Sequence, residues 1–234
     1  MISSIIQRRK TFLAREEWTT TPFRGHAGSK IQLLFNRASA LPALLERYYD
    51  LVDVEVVDEV AVERLRTDFR EIIESFWEWE LVLHSEAASP VFWSKHNSDD
   101  SSCLDSKVLW FPNIMTANSL THCWAFMIVA RSHLSMLNGT VSAVKGNGQR
   151  AFLRGRSDSA SEEPVAALAE KICDSMAYIM QPDMRLYGPG SAFFTFPTAV
   201  HVFRSEPDRY RLQLLRCEQI LDHLATIGFY FPRT

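Results

Sequence analysis

The chain has 234 residues, 47% hydrophobic and 23% charged, the proportions of a globular protein rather than a disordered or fibrous one. Lys plus Arg number 25 against 28 for Asp plus Glu, a net charge of −3, so no basic excess is present to hold nucleic-acid phosphates. This length suits one large domain or two small ones, and 1–234 is expected to fold as one.

The N-terminal decapeptide carries Arg8, Arg9 and Lys10 and no acid, and the first acid is Glu16. That composition fits a transit peptide, an ordinary amphipathic helix, or a chain whose upstream portion is missing. Short helices are expected at about 29–38 and 41–52, separated at Pro42, which makes a good first-turn residue for the second. Val52 to Val57 alternates in part, but no second alternating run stands nearby to pair with it.

A long amphipathic helix is predicted from Val56 to about Glu86. Leu65, Phe69, Ile72, Phe76 and Leu83 recur at steps of three, four or seven, with Ile73 and Trp77 extending the same face. A polar gap follows at 96–106. The next helix runs from about Thr116 to Leu137, apolar over much of its girth and therefore central, with Asn138-Gly139 as its stop.

A flexible loop is expected at about 139–163, rich in glycine, serine and arginine. Ser161, Glu162, Glu163 and Pro164 then open a third helix, striped by Val165, Leu168, Ala169, Ile172, Met176 and Ile179. Gln181-Pro182 ends it, since proline lacks the backbone donor, and Tyr178 closes its final turn. Gly188-Pro189-Gly190 reads as a tight reversal. The segment 192–204 carries Pro197 and reads as two half-turns or a kinked helix. A last helix begins near Ser205-Glu206-Pro207 and ends before Gly228. The economical fold class is all-α, an irregular multi-helix globular domain built on several long amphipathic helices.

No residue constellation specifies chemistry. The cysteines, Cys103, Cys123, Cys173 and Cys217, contain no C-x-x-C pair, which removes zinc-ribbon and thioredoxin-type sites. Three of them sit in apolar helical patterns and are expected to be reduced structural thiols. Seven histidines include no H-E-x-x-H, and no G-x-S-x-G occurs. Lys145 to Arg150 holds glycines and bases but lacks the G-K-[ST] ending of a phosphate cradle. Arg154-Gly-Arg-Ser157 is too short a basic motif to rank as a kinase site, and Asn138-Gly-Thr140 is set aside as a glycosylation triplet for want of a secretory signal. The most apolar stretch, 123–130, is far below the roughly 20 residues a membrane-spanning helix needs. No catalytic, cofactor-binding or metal-binding residue is assigned. Trp77, Trp79, Trp93, Trp110 and Trp124, with fifteen phenylalanines, either fill a core between long helices or line an apolar ligand cavity; the core reading is preferred.

Three stretches together resemble a family. Glu17-Trp18-Thr-Thr-Thr-Pro22-Phe23 and Leu41-Pro42-Ala-Leu-Leu45 are similar to an "EW-x-x-x-P-[WF] … [LV]-P-x-L-L" opening. Pro90-Val-Phe-Trp93, Phe111-Pro112 and the helix carrying Trp124 resemble its middle. Cys173, Tyr178, Gln181, Pro182, Met184, Gly188 and Pro197 fall on an "I-C-x-S-x-x-Y-x-x-Q-P-E-M-G-x-x-G … F-P" pattern, with Asp183 where the family often has Glu. The family is the regulatory region that follows the DNA-binding module of fungal zinc-cluster transcription factors, matched over roughly 12–230.

The resemblance implies a regulatory domain that binds a protein partner or a small apolar effector, with nuclear residence; a cytoplasmic location is the alternative. The matched residues are implied to be structural. The six-cysteine cluster of the C-x-x-C-x6-C type is missing from this sequence, so direct nucleic-acid binding by that module is not expected. The chain is then a free-standing paralogue, a truncated gene model or a fragment. A helical small-molecule-binding protein or enzyme of fungal specialised metabolism is the second reading, and a homodimerising module the third.

Overall fold

A computed structural model describes residues 1–21, 24–25, 28–53, 58–96, 107–145 and 163–231. The protein is predominantly helical, as the apolar periodicity requires. Its contacts cluster into two compact units, one made of 1–79 and 129–162, the other of 80–128 and 163–234.

The first unit contains α1 (Ile2–Gln7), α2 (Glu16–Thr20), α3 (Lys30–Ala38), α4 (Leu41–Val52) and the larger part of α5 (Glu59–Glu86). Ser29 caps α3, its hydroxyl accepting from the Gln32 N–H at 3.3 Å, and Pro42 sits in the first turn of α4. On α5, Val62, Leu65, Phe69, Ile72, Phe76 and Trp79 are buried, at alternating steps of three and four that hold them on one stripe. Trp79 is 3% exposed, and its indole Nε1 donates to the Lys30 carbonyl at 2.9 Å, tying α5 to the start of α3. Trp77, expected on the apolar face, is 41% exposed instead. It stands one residue past Phe76, about 100° round the helix, so only one of the two positions can face inward.

The second half of α6 (Ile114–Lys145) also belongs to this unit. His133 on it lies among Tyr48, Tyr49 and Phe69, with ring centroids 5.0, 5.9 and 6.3 Å away. The helix runs through Lys145, so Asn138-Gly139 does not stop it. A mid-helix glycine costs only about 1 kcal/mol relative to alanine, and Gly139 does not take the left-handed conformation by which glycine commonly ends a helix. The remainder of the expected loop, 146–162, lies outside the described residues, as do Val54 to Val57.

The second unit opens with the end of α5, then β1 (Trp93–His96) and β2 (Lys107–Trp110). The strands pair antiparallel, Trp93 opposite Trp110 and His96 opposite Lys107, a hairpin absent from the all-helical expectation. Val108 and Leu109 are both buried, so β2 shows no alternation for a sequence reading to find.

The first half of α6 follows, and every residue from Ala117 to Ile128 is buried, the central position that its all-round apolar character predicts. Then come α7 (Val165–Ile179), a single 3₁₀ turn over Pro182–Met184, α8 (Tyr187–Arg204) and α9 (Arg211–Thr226). The predicted end of α7 before Pro182 holds. Three expectations need correction. Gly188-Pro189-Gly190 is not a reversal but the first turn of α8, where proline's missing N–H is an orphan anyway. Of the two readings of 192–204, the half-turns fall: Pro197 lies on the exposed side of one helix that runs on to Arg204, while Phe194, Phe196, Ala199, Val200 and Phe203 are buried and hold it across the lost hydrogen bond. Finally, Ser205-Glu206-Pro207 forms turns before α9 rather than its start.

Candidate functional site

The signature-like segment builds the junction between α7 and α8. At the end of α7, Tyr178 is buried and packs edge-on to Trp110 at 5.6 Å and tilted against Phe111 at 5.3 Å, locking the helix onto the end of β2. The chain then turns through Gln181 and Pro182–Met184 to Arg185, whose backbone stands at φ 49°, ψ −134°. A side chain at such an angle is strained, and glycine is the residue that adopts it freely.

Three residues later Gly188 lies against α7. A Cβ on it would sit 2.0 Å from the Ile179 carbonyl oxygen and 2.7 Å from Met184 Cβ, so no larger residue fits without moving backbone. Tyr187 pins the same turn to α6. Its hydroxyl accepts from Asn118 Nδ2 at 3.0 Å and donates to Met115 Sδ at 3.2 Å.

Beneath this junction α7 and α9 meet. Cys173 and Cys217 are both buried with Sγ atoms 3.7 Å apart, and beside them Arg216 forms an ion pair with the buried Asp174. Burial pushes the Asp174 carboxyl above its ordinary range and the guanidinium pulls it back. Arg216 also donates to the Lys107 carbonyl at 3.2 Å, joining the hairpin to α9.

Elsewhere in this unit His122 is sunk among Phe126 and Phe194, with Nδ1 donating to the Asn118 carbonyl at 2.9 Å. Burial holds its pKa down at about 4, so the imidazole is neutral at physiological pH.

The predicted site residues are thus distributed as follows. Tyr178, Gln181, Pro182, Met184 and Gly188 come together at the α7–α8 junction, Cys173 faces α9 from the middle of α7, and Pro197 is exposed farther along α8. Trp124 is fully buried on α6; its Nε1 donates to Glu80 Oε1 at 3.0 Å, and Phe92 meets it edge-on at 5.8 Å. Trp93 is 40% exposed on β1. Trp18 belongs to the first unit, half-exposed on α2 against Phe12. Pro22 lies outside the described residues.

Sequence reasoning missed Trp79, Tyr187 with Asn118, and the approach of Cys217 to Cys173. The three-four spacing of α5 favoured Trp79 over Trp77 all along, whereas the other two pairings depend on how helices cross and leave no local signal.

Among the described residues no group of three or more His, Cys, Asp or Glu is placed to hold a metal ion. A groove of about 520 Å³ runs along α5, lined by Glu59, Val60, Glu63, Arg64, Thr67 and Asp68, with no aromatic ring in its wall. No helix is long and apolar enough to cross a membrane, among the described residues.

No family model, curated protein or solved structure matches the chain. The junction is a packing and turn device, with a thiol pair and an ion pair under it.

Proposed function

We propose that this chain is a helical regulatory domain of the kind that follows the DNA-binding module in fungal zinc-cluster transcription factors, working through a protein partner or a small apolar effector. One observation carries the reading. The signature writes glycine at two places, and at both the backbone here is suited to glycine. Gly188 is one, with no room for a Cβ. Arg185 occupies the other, in a positive-φ conformation that an arginine adopts under strain. These two backbone demands, three residues apart at the corresponding positions, support the reading. Tyr178, buried at the end of α7, and Pro182, opening the turn that follows, fit the same pattern.

In this reading the domain acts by changing which of its conformations is populated when partner or effector binds. It resides in the nucleus and performs no chemistry of its own. The test is to tether the whole chain to a heterologous DNA-binding module and place the matching sites before a reporter gene. The expected outcome is a several-fold change in transcription relative to the tether alone. A fusion that is stably expressed and nuclear yet leaves the reporter unchanged overturns the proposal.

A further inference from the structure

We infer that Cys173 and Cys217 are a reversible redox pair, forming an intramolecular disulfide that staples α7 to α9 when the protein meets a two-electron oxidant such as hydrogen peroxide. The inference stands apart from the regulatory reading, since it concerns the thiols' own chemistry.

The two sulfurs are 3.7 Å apart on helices separated by 44 residues of sequence, so their meeting is made by the fold. A disulfide needs about 2.05 Å, so the sulfurs must close by a further ~1.6 Å to bond. Both side chains are buried and face each other across the α7–α9 contact, so neither needs to leave its helix face to react.

The surroundings also divide the labour. With Cys173 as donor, the hydrogen bond between the sulfurs holds the Cys217 thiol down and pushes that of Cys173 up, while burial raises both and the Arg216 guanidinium lowers both. Cys217 is therefore the attacking thiolate and Cys173 the resolving thiol.

The Cys217 thiolate attacks one oxygen of peroxide, forming an S–O bond as the O–O bond breaks, and hydroxide leaves. Cys173 gives its proton to that hydroxide, making water. Its sulfur then attacks the sulfenic sulfur of Cys217, forming the S–S bond and expelling the second oxygen, which takes a proton from solvent and departs as water. Overall two thiols and one peroxide yield one disulfide and two waters.

Burial sets the pace. Peroxide reaches the pair when α9 opens, which parts the Arg216–Asp174 ion pair and uncovers Cys217, Ile220, Leu221 and Leu224. Oxidation is thus slower than for an exposed thiol and follows the opening of this helix.

The experiment uses the full chain, treated with hydrogen peroxide, quenched with an alkylating reagent and digested without reductant. A species lighter by two hydrogens, with the peptides of Cys173 and Cys217 joined and released by dithiothreitol, is the expected result. Oxidised protein melts about 5–10 °C higher than reduced protein, because the cross-link restricts the unfolded chain. C217S and C173S each lose the link and the rise in melting temperature, while C103A keeps both. Oxidation that yields only sulfinic or sulfonic acids, a link through Cys103 or Cys123, or a link only between separate chains overturns the inference. The peptide map of the unmutated protein decides the matter even if a serine variant fails to fold.

Discussion

Replacing Gly188 by alanine tests the junction most directly. The added Cβ meets the Ile179 carbonyl oxygen at 2.0 Å and Met184 Cβ at 2.7 Å, well inside van der Waals contact. Neither obstacle is the loose end of a side chain, so α7 and α8 must part. Overpacking usually costs about 1–3 kcal/mol, and a backbone obstacle places this case near the upper end. Alanine's better helix propensity returns up to about 1 kcal/mol, leaving a net loss of about 2 kcal/mol. Gly190, in the same first turn, supplies the control: a Cβ there meets nothing within 4 Å, so G190A collects the propensity gain alone. At about 2–4 °C per kcal/mol for a chain of this size, G188A should melt about 4–8 °C below the parent and G190A up to about 4 °C above it. Circular dichroism melts of the three proteins suffice. Equal stability of G188A and the parent, or shifts of the same sign in both variants, would refute the close approach.

Four further outcomes follow from the geometry. R185G relieves the positive-φ strain and should stabilise by about 1–2 kcal/mol, read as a higher urea midpoint with unchanged slope. W79A empties a buried site and leaves the Lys30 carbonyl without its indole donor, a loss of about 3–5 kcal/mol, whereas W77A should stay within about 0.5 kcal/mol in the same denaturation assay. His122 is neutral in the fold with a pKa near 4, below its ordinary 6.5, so the stability it gives is complete above pH 6.5 and drains away as pH falls towards 4. That loss reaches about 3 kcal/mol, and H122Q should flatten the melting temperature over this window. R216M strips the guanidinium from the buried Asp174 carboxylate. A deficit of about 3 kcal/mol is expected at pH 7, shrinking in acid as that carboxyl takes up a proton, measured by paired urea titrations.

Much of the helical plan was legible because local rules and burial agree there. Ser29, Pro42 and the stripe from Leu65 to Phe76 mark α3, α4 and α5 with capping, first-turn and periodicity signals that the folded protein uses. Failures cluster where a distant partner outweighs a local preference. Pro197 breaks helices in isolation, but five buried neighbours keep α8 continuous. The hairpin has two short strands whose pairing depends on residues on either side of a polar gap, and β2 is buried at two successive positions. Gly188 looks like turn chemistry until the Ile179 carbonyl is found beside it, a contact between residues nine apart that no composition rule foresees. The thiol pair is the extreme case: each cysteine sits legibly on an apolar helix face, yet nothing in the sequence says that the two faces meet.

The two units are each assembled from two separate stretches of chain, and α5 and α6 pass from one set to the other. No single scission can therefore release either body whole. Ending the polypeptide after 162 would remove α7, α8 and α9 but retain 80–128, whose Leu120, Trp124 and Phe126 would lose much of their cover. The two-piece inheritance makes the chain a poor subject for dissection into fragments: deletion series would report insolubility where they were meant to map activity, and point substitutions are the tool that its threading allows.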